Sequence, residues 1–440
     1  MRNQVHLVTR RKRMLRNLFL TVLIYVIGWS CLGAMPAREA QGNYRLEKVL
    51  VLSRHNIRSP LSTNGSALAR MTPHAWFNWT SGPSELSLRG GELETLMGQY
   101  FRKWLVSEGF MSENEVPEKG QMRFYANSMQ RTIATARYFS TGMLPLADVR
   151  IEHRFAADKM DPVFCPCLGF FSNSFERLAI SQISEMGGAR GLQGINEKMA
   201  GEFNLVEELL DYKNSQLAQE TDTPYLRLDD LKIVLKKNEE PNMKGSFKTA
   251  TQASDAFILQ YYEESDPMRA AFGEVLNEEE WTAVARIKDM YGDVLFTAPA
   301  VAVNVAHPLL KEMQKEMDNK HRKFTFLCGH DSNLSSVLAA LEVAPYELPN
   351  SIEKKTPIGS KFVISKWVGK DGGEYASLDL IYQTVQQLRE REMLSLDNPP
   401  AVFGLELEGL TANEDGLYKW ADVRQRFGEA VAAYKELPKD

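Results

Sequence analysis

Residues 48–61 read KVLVLSRHNIRSPL, an apolar run that stops abruptly at Arg54-His55 and is followed by a second arginine, Arg58. A histidine between two cations gains nothing from being charged. The cluster is therefore either incidental surface charge or an anion site that keeps its imidazole neutral. The apolar run predicts a strand over 47–53, which places Arg54 and His55 at its C-terminal end, the edge where open α/β sheets bind ligands. The fold turns on whether other strands of the chain end in the same way.

Four further short runs have the alternating or apolar character of strands: MRFYAN (122–127), KFTFLCG (323–329), KFVISKW (361–367) and YASLDLIYQ (375–383). Helical spacing lies between them. Over 87–107, Leu93, Leu96, Met97, Tyr100, Phe101, Trp104 and Leu105 recur on one face, with Ser87 suited to cap the start. A second helix is expected over 331–343. A third, over 418–434, carries Trp420, Val423, Phe427 and Val431 on one face. Strands separated by long helical stretches predict an α/β sheet with helices on both faces.

The middle of the chain differs. From 165 to 320 helical segments dominate, at 193–213, 252–264, 277–291 and 300–318, with Pro308 expected to kink or divide the last. LKKNEEPNMKGS (235–246) reads as a polar loop. The expected organisation is an α/β core from 45–164 and 321–440, interrupted by a smaller, mainly α-helical cap over 165–320. A ligand cleft would lie between the two.

Two more stretches carry candidate chemistry. Gly329-His330-Asp331 ends a predicted strand and opens a helix, so His330 and Asp331 stand at a helix N-terminus with unpaired N–H groups. In YANSMQRTIATARYF, Arg131 follows a strand and enters an amphipathic helix, from which it could join Arg54 and Arg58 around one anion. Taken singly, each has a plainer reading: a solvated arginine, or a histidine with ordinary polar partners.

At 440 residues, with 44% hydrophobic and 25% charged residues, the chain has an ordinary globular composition. Residues 1–34 are different in kind. Arg2, Arg10, Arg11, Lys12, Arg13 and Arg16 precede LFLTVLIYVI, and small residues follow, which is the order of a secretory signal peptide. A membrane span needs about 20 apolar residues, and GWSCLGAMPAREAQG breaks the run early, so a retained anchor is the lesser alternative. MLRNLFLTVLIYVIG would make a compact signal alone, with translation starting at Met14. The segment holds six basic and no acidic residues, so its removal takes the formal charge from −5 to −11. Nothing in that balance looks like a nucleic-acid binder. Cys165, Cys167 and Cys328 would remain, too few for a disulfide scaffold, and CPC at 165–167 is too short for the usual metal-site spacing.

LSRHNIRSPL together with CGHDSNL resembles the histidine acid phosphatases, whose pattern is Arg-His-Gly-x-Arg-x-Pro near the N-terminus and a His-Asp pair near the C-terminus. The likeness spans residues 45 to 435. SRHNIRSPL, YANSMQRTIATA, DAFILQYYE, GHDSN and TPIGSKFV are similar to a narrower subgroup, the bacterial periplasmic glucose-1-phosphatases. Asn56, where most of the wider family has glycine, is shared with that subgroup.

The resemblance implies a phosphoglycerate-mutase-like core with a smaller helical domain, an acid phosphomonoesterase activity and a periplasmic or secreted location. It implies His55 as the nucleophile that forms a phosphohistidine, and Asp331 as the acid that protonates the leaving oxygen. Arg54, Arg58, Arg131 and His330 would hold the phosphate. Leu61 and Glu240 would contact the sugar. The expected substrate is a small phosphorylated molecule, glucose 1-phosphate and also inositol hexakisphosphate, with no cofactor, no metal, no nucleic-acid partner and no stable membrane association after signal cleavage. The alternatives are a general phytase with the same centre, a phosphoglycerate mutase, and a catalytically inactive phosphate-ligand binder.

Overall fold

The computed structural model describes residues 42–60, 67–156 and 158–440. The expected signal peptide, with Met14 and Cys31, lies outside the described residues, as does Leu61. Strand β1 (Tyr44–Arg54) begins an eight-stranded mixed sheet. Helix α1 (Leu88–Ser107), strand β2 (Met122–Ala126), helix α2 (Gln130–Met143) and strand β3 (Ile151–Glu152) follow. Ser87 caps α1 by accepting a hydrogen bond from the Gly90 N–H.

Between β3 and the next sheet strand the principal elements are helices α3 (Asn173–Glu185), α4 (Ala200–Leu210), α5 (Ser246–Glu263), α6 (Glu278–Phe296) and α7 (Pro299–Asp318). Two sequence expectations fail here. The stretch read as a polar loop is half of a hairpin, in which β4 (Lys232–Val234) pairs antiparallel with β5 (Asn242–Lys244). Pro308 lies inside one helix, Pro299–Asp318, and does not divide it. The division falls between α6 and α7, whose axes bend by 85°. Pro299 opens α7, a position where the missing N–H costs nothing.

The chain returns to the sheet with β6 (Phe324–Gly329), helix α8 (Asp331–Ala340), β7 (Lys361–Gly369), β8 (Glu374–Tyr382), β9 (Ala401–Gly404), β10 (Tyr418–Lys419) and helix α9 (Trp420–Ala433). The strand order is β10-β8-β7-β1-β6-β2-β3, with β9 pairing to β8. Strands β1, β6, β2 and β3 are parallel; β7 to β10 add in antiparallel fashion.

Alternation along β1 sorts its side chains to the two faces. Leu50 and Leu52 pack with Ala302, Leu309, Val337 and Phe427 of α7, α8 and α9. Val49 and Val51 pack with Met97, Phe101 and Phe139 of α1 and α2. With both faces covered by apolar surface, the parallel strands are held in one register. That register sets Arg54 beside Gly329, and Ala126 beside Cys328, so three chain crossings leave the sheet at one edge.

Candidate active site

His55 is the first residue beyond β1, and its backbone N–H donates to the Gly329 carbonyl at 3.1 Å. Its ring is buried, and Nδ1 lies 2.9 Å from the Asn56 carbonyl oxygen. A carbonyl can only accept, so Nδ1 carries the proton and Nε2 keeps its lone pair. Burial, followed by the charges of Arg131, Arg58, His330 and Arg54, holds the imidazole well below its usual pKa.

Three guanidiniums surround it. Arg54 donates from Nη1 to Glu353 Oε1 and to the Thr356 carbonyl, both at 2.5 Å. Arg58 donates from Nη2 to Asp255 Oδ2 at 3.0 Å, and Arg131 from Nη1 to Ser84 Oγ at 2.6 Å. The Nε atoms of all three are buried without a hydrogen-bond partner. Burial, then Arg58, pushes the Arg131 guanidinium down to about 10, a mark of crowded positive charge. Arg54 and Arg58 already meet carboxylates, yet buried donors left without partners at this density are costly unless a further acceptor joins them.

His330 is the N-cap of α8 and stands in T-shaped contact with His55, ring centroids 5.5 Å apart. Asn127 fixes its tautomer. The Asn127 Oδ1 accepts from the Ser128 and Asp161 N–H groups, so its Nδ2 is the donor that meets His330 Nε2 at 2.7 Å. The proton therefore sits on His330 Nδ1, which lies 3.4 Å from Arg131 Nη2. Two donors so close suit one shared acceptor oxygen.

Asp331 opens α8 and is partly exposed. Its Oδ2 is paired with Lys288 Nζ and lies 3.6 Å from Arg54 Nη2. Burial opposes the charge, but Lys288 and then Arg54 outweigh it and hold the carboxyl well below its usual range. Lys288 also lies 3.5 Å from Asp255, which is held low in the same way by Arg58 and Lys288 against the effect of burial.

These groups line a cavity of ≈ 400 Å³. The structure brings together six of the sequence-predicted residues: Arg54, His55, Arg58, Arg131, His330 and Asp331. Glu240 lines the cavity too, from an exposed position two residues before β5. Sequence reasoning missed Asp255, Lys288, Glu353 and Asn127. The signal for the first was present: Asp255 is an acid set among Ala253, Ser254, Ala256 and Phe257, all buried. Among the described residues, no group of three or more His, Cys, Asp or Glu is placed to hold a metal ion. Cys165 and Cys167 are joined in a disulfide, and Cys328 is buried and free.

The chain is 36% identical over 389 residues to the glucose-1-phosphatase of Salmonella typhimurium, covering 87% of this chain and 92% of that one. It is 34% identical over 403 residues to the glucose-1-phosphatase of Providencia rettgeri, covering 90% and 94%. The apo structure of Hafnia alvei phytase superposes with a TM-score of 0.81 at 22% identity, over 90% of this chain and 99% of that one, and shares the fold. A profile of the histidine phosphatase superfamily, branch 2, matches residues 45–375, and the chain belongs to that family.

Proposed function

We propose that the enzyme hydrolyses glucose 1-phosphate, after export from the cytoplasm, through a phosphohistidine formed on His55. The observation that carries this reading is the neutral His55, with its Nε2 lone pair free, surrounded by three guanidiniums whose Nε atoms have no partner. Phosphoryl transfer asks for an in-line nucleophile and for fixed donors around the equatorial oxygens, and little else from the protein.

In the first step His55 Nε2 attacks phosphorus. The P–N bond forms as the P–O bond to the sugar breaks, and Asp331 gives its proton to the leaving oxygen. Arg54, Arg58, Arg131 and the Nδ1–H of His330 hold the phosphoryl oxygens. In the second step water attacks the phosphohistidine, the P–N bond breaks, and the Asp331 carboxylate takes the proton. The net change is hydrolysis of one ester. Lys288 and Arg54 favour the ionised form of Asp331 before substrate binds. A phosphate dianion arriving beside it raises its pKa and favours the proton that the first step needs.

The substrate reading rests on the two glucose-1-phosphatase relatives and on how the remaining cations are engaged. Lys288 is matched by Asp331 and Asp255. Glu240 adds an acid that can accept hydrogen bonds from sugar hydroxyls and that repels further phosphates. Lys248 and Lys355, which also line the cavity, favour a second activity on a single phosphate of inositol hexakisphosphate. A panel of phosphomonoesters assayed at acid pH tests the proposal. Glucose 1-phosphate should give the highest kcat/KM and inositol hexakisphosphate a lower one. The reverse order makes the enzyme a general phytase.

A further inference from the structure

We propose that Glu94 and Lys361 position the nucleophile, acting on His55 through the side chain of Asn56. None of Asn56, Glu94 and Lys361 lines the cavity. The inference rests on His55 as the nucleophile.

The orientation of the His55 ring depends on where the Asn56 carbonyl points, because that carbonyl accepts the Nδ1–H. Three bonds hold Asn56 in place. Its N–H donates to Thr135 Oγ1 at 3.2 Å, its Oδ1 accepts from the Ile57 N–H at 2.8 Å, and its Nδ2 donates to Glu94 Oε1 at 2.8 Å. Glu94 comes from α1. The same Oε1 accepts from Lys361 Nζ at 3.0 Å, and Lys361, the first residue of β7, also donates to the Gly359 carbonyl at 2.8 Å. The Gly359 N–H donates to the His55 carbonyl at 3.1 Å. The bonds close a circuit from His55 through Asn56, Glu94, Lys361 and Gly359 back to His55.

Two features mark this circuit as more than core packing. Gly359 has φ +69°, and a Cβ there would lie 2.5 Å from Asn56 Nδ2, so the backbone approaches the amide too closely for any side chain. The Glu94–Lys361 pair is fully buried, yet Glu94 Oε2 has no hydrogen-bond partner. Two apolar side chains of similar volume would stabilise a core at least as well. What the pair supplies is a fixed acceptor for Asn56.

The test compares two double variants that both remove the ion pair. E94Q/K361M keeps a carbonyl oxygen facing Asn56, whereas E94M/K361M removes it. A misplaced nucleophile loses rate and not ground-state binding, so E94M/K361M should have kcat about tenfold below E94Q/K361M, with KM within about twofold. In an N56G background, which lacks the amide, the difference between the two pairs should vanish. Equal kcat for the two double variants, or a difference that persists on N56G, overturns the inference. Should E94M/K361M not fold, N56A alone carries the test: it should lower kcat to a similar extent, and an unchanged kcat overturns the inference. An alkaline quench of the wild-type enzyme with labelled substrate is run alongside. Absence of phosphohistidine there rejects the nucleophile itself, a failure separate from that of its positioning.

Discussion

One wall of the cavity is made by the ends of strands. Arg54 ends β1 and His55 and Arg58 follow it, and His330 and Asp331 follow β6, its parallel neighbour. Arg131 enters from α2, just beyond the adjacent β2. Another wall is made by helices and a hairpin, with Asp255 on α5, Lys288 on α6 and Glu240 before β5. The first wall is held by backbone register and by bonds to main-chain groups. The second is joined to it through ion pairs, Asp255 with Arg58 and Lys288 with Asp331. On the proposed mechanism the sheet edge would supply the chemistry, while the helical wall would adjust its charge and select what enters.

If so, changes at the sheet edge should stop the reaction and changes on the helical wall should tune it. The largest effect is expected at His55. His55→Ala should lower kcat by about 10⁴ or more and abolish phosphoenzyme, measured by trapping labelled phosphate in alkali. Retained phosphoenzyme would show that another residue is the nucleophile. Asp331→Asn should slow release of glucose by about 10²–10³ and of nitrophenolate far less, because only the sugar oxygen needs a proton to leave. Equal losses on the two substrates would remove Asp331 from that role.

Lys288→Met probes the junction of the walls. Lys288 and Arg54 hold the Asp331 pKa down, and the proposed first step uses the protonated acid. Removing one cation should let that pKa rise, so the protonated form persists to higher pH. The alkaline limb of the kcat profile should then move up by about one pH unit, with Arg54 still opposing any larger shift. An unmoved limb, or one moved to lower pH, would mean that Lys288 does not govern this acid. The smallest effect belongs to the helical wall alone. Glu240→Ala should raise KM for glucose 1-phosphate about fivefold, the loss of one hydrogen bond, and leave KM for nitrophenyl phosphate unchanged. A parallel change on both substrates would take Glu240 out of the sugar site.

The contrast between the walls also explains which parts of the site are legible in the amino-acid sequence. The residues of the sheet edge lie in compact motifs, SRHNIRSP and GHDSN, because a strand end delivers consecutive residues to one place. The hairpin β4–β5 escapes a sequence reading because each strand is only three residues long, too short for alternation to register. The helix is not divided at Pro308: a proline inside a pattern does not reveal whether the surrounding packing will carry the helix past it. Lys288 sits on α6 between Asp289 and the buried Ile287, with nothing local to separate it from an ordinary helix cation.

The α/β class, the strand ends that bear Arg54, His55 and His330, and the need for a neutral imidazole among cations are legible in the sequence alone, since each follows from local spacing and charge. Tertiary packing was needed to set the tautomers of His55 and His330, to close Lys288 and Asp255 on the motif residues, and to bring Glu94 between Asn56 and Lys361 behind His55. Glu94 and Lys361, joined directly, are far apart in the chain. Parallel pairing of β1 with β6, and antiparallel pairing with β7, sets the distant strand ends side by side on which these contacts are built.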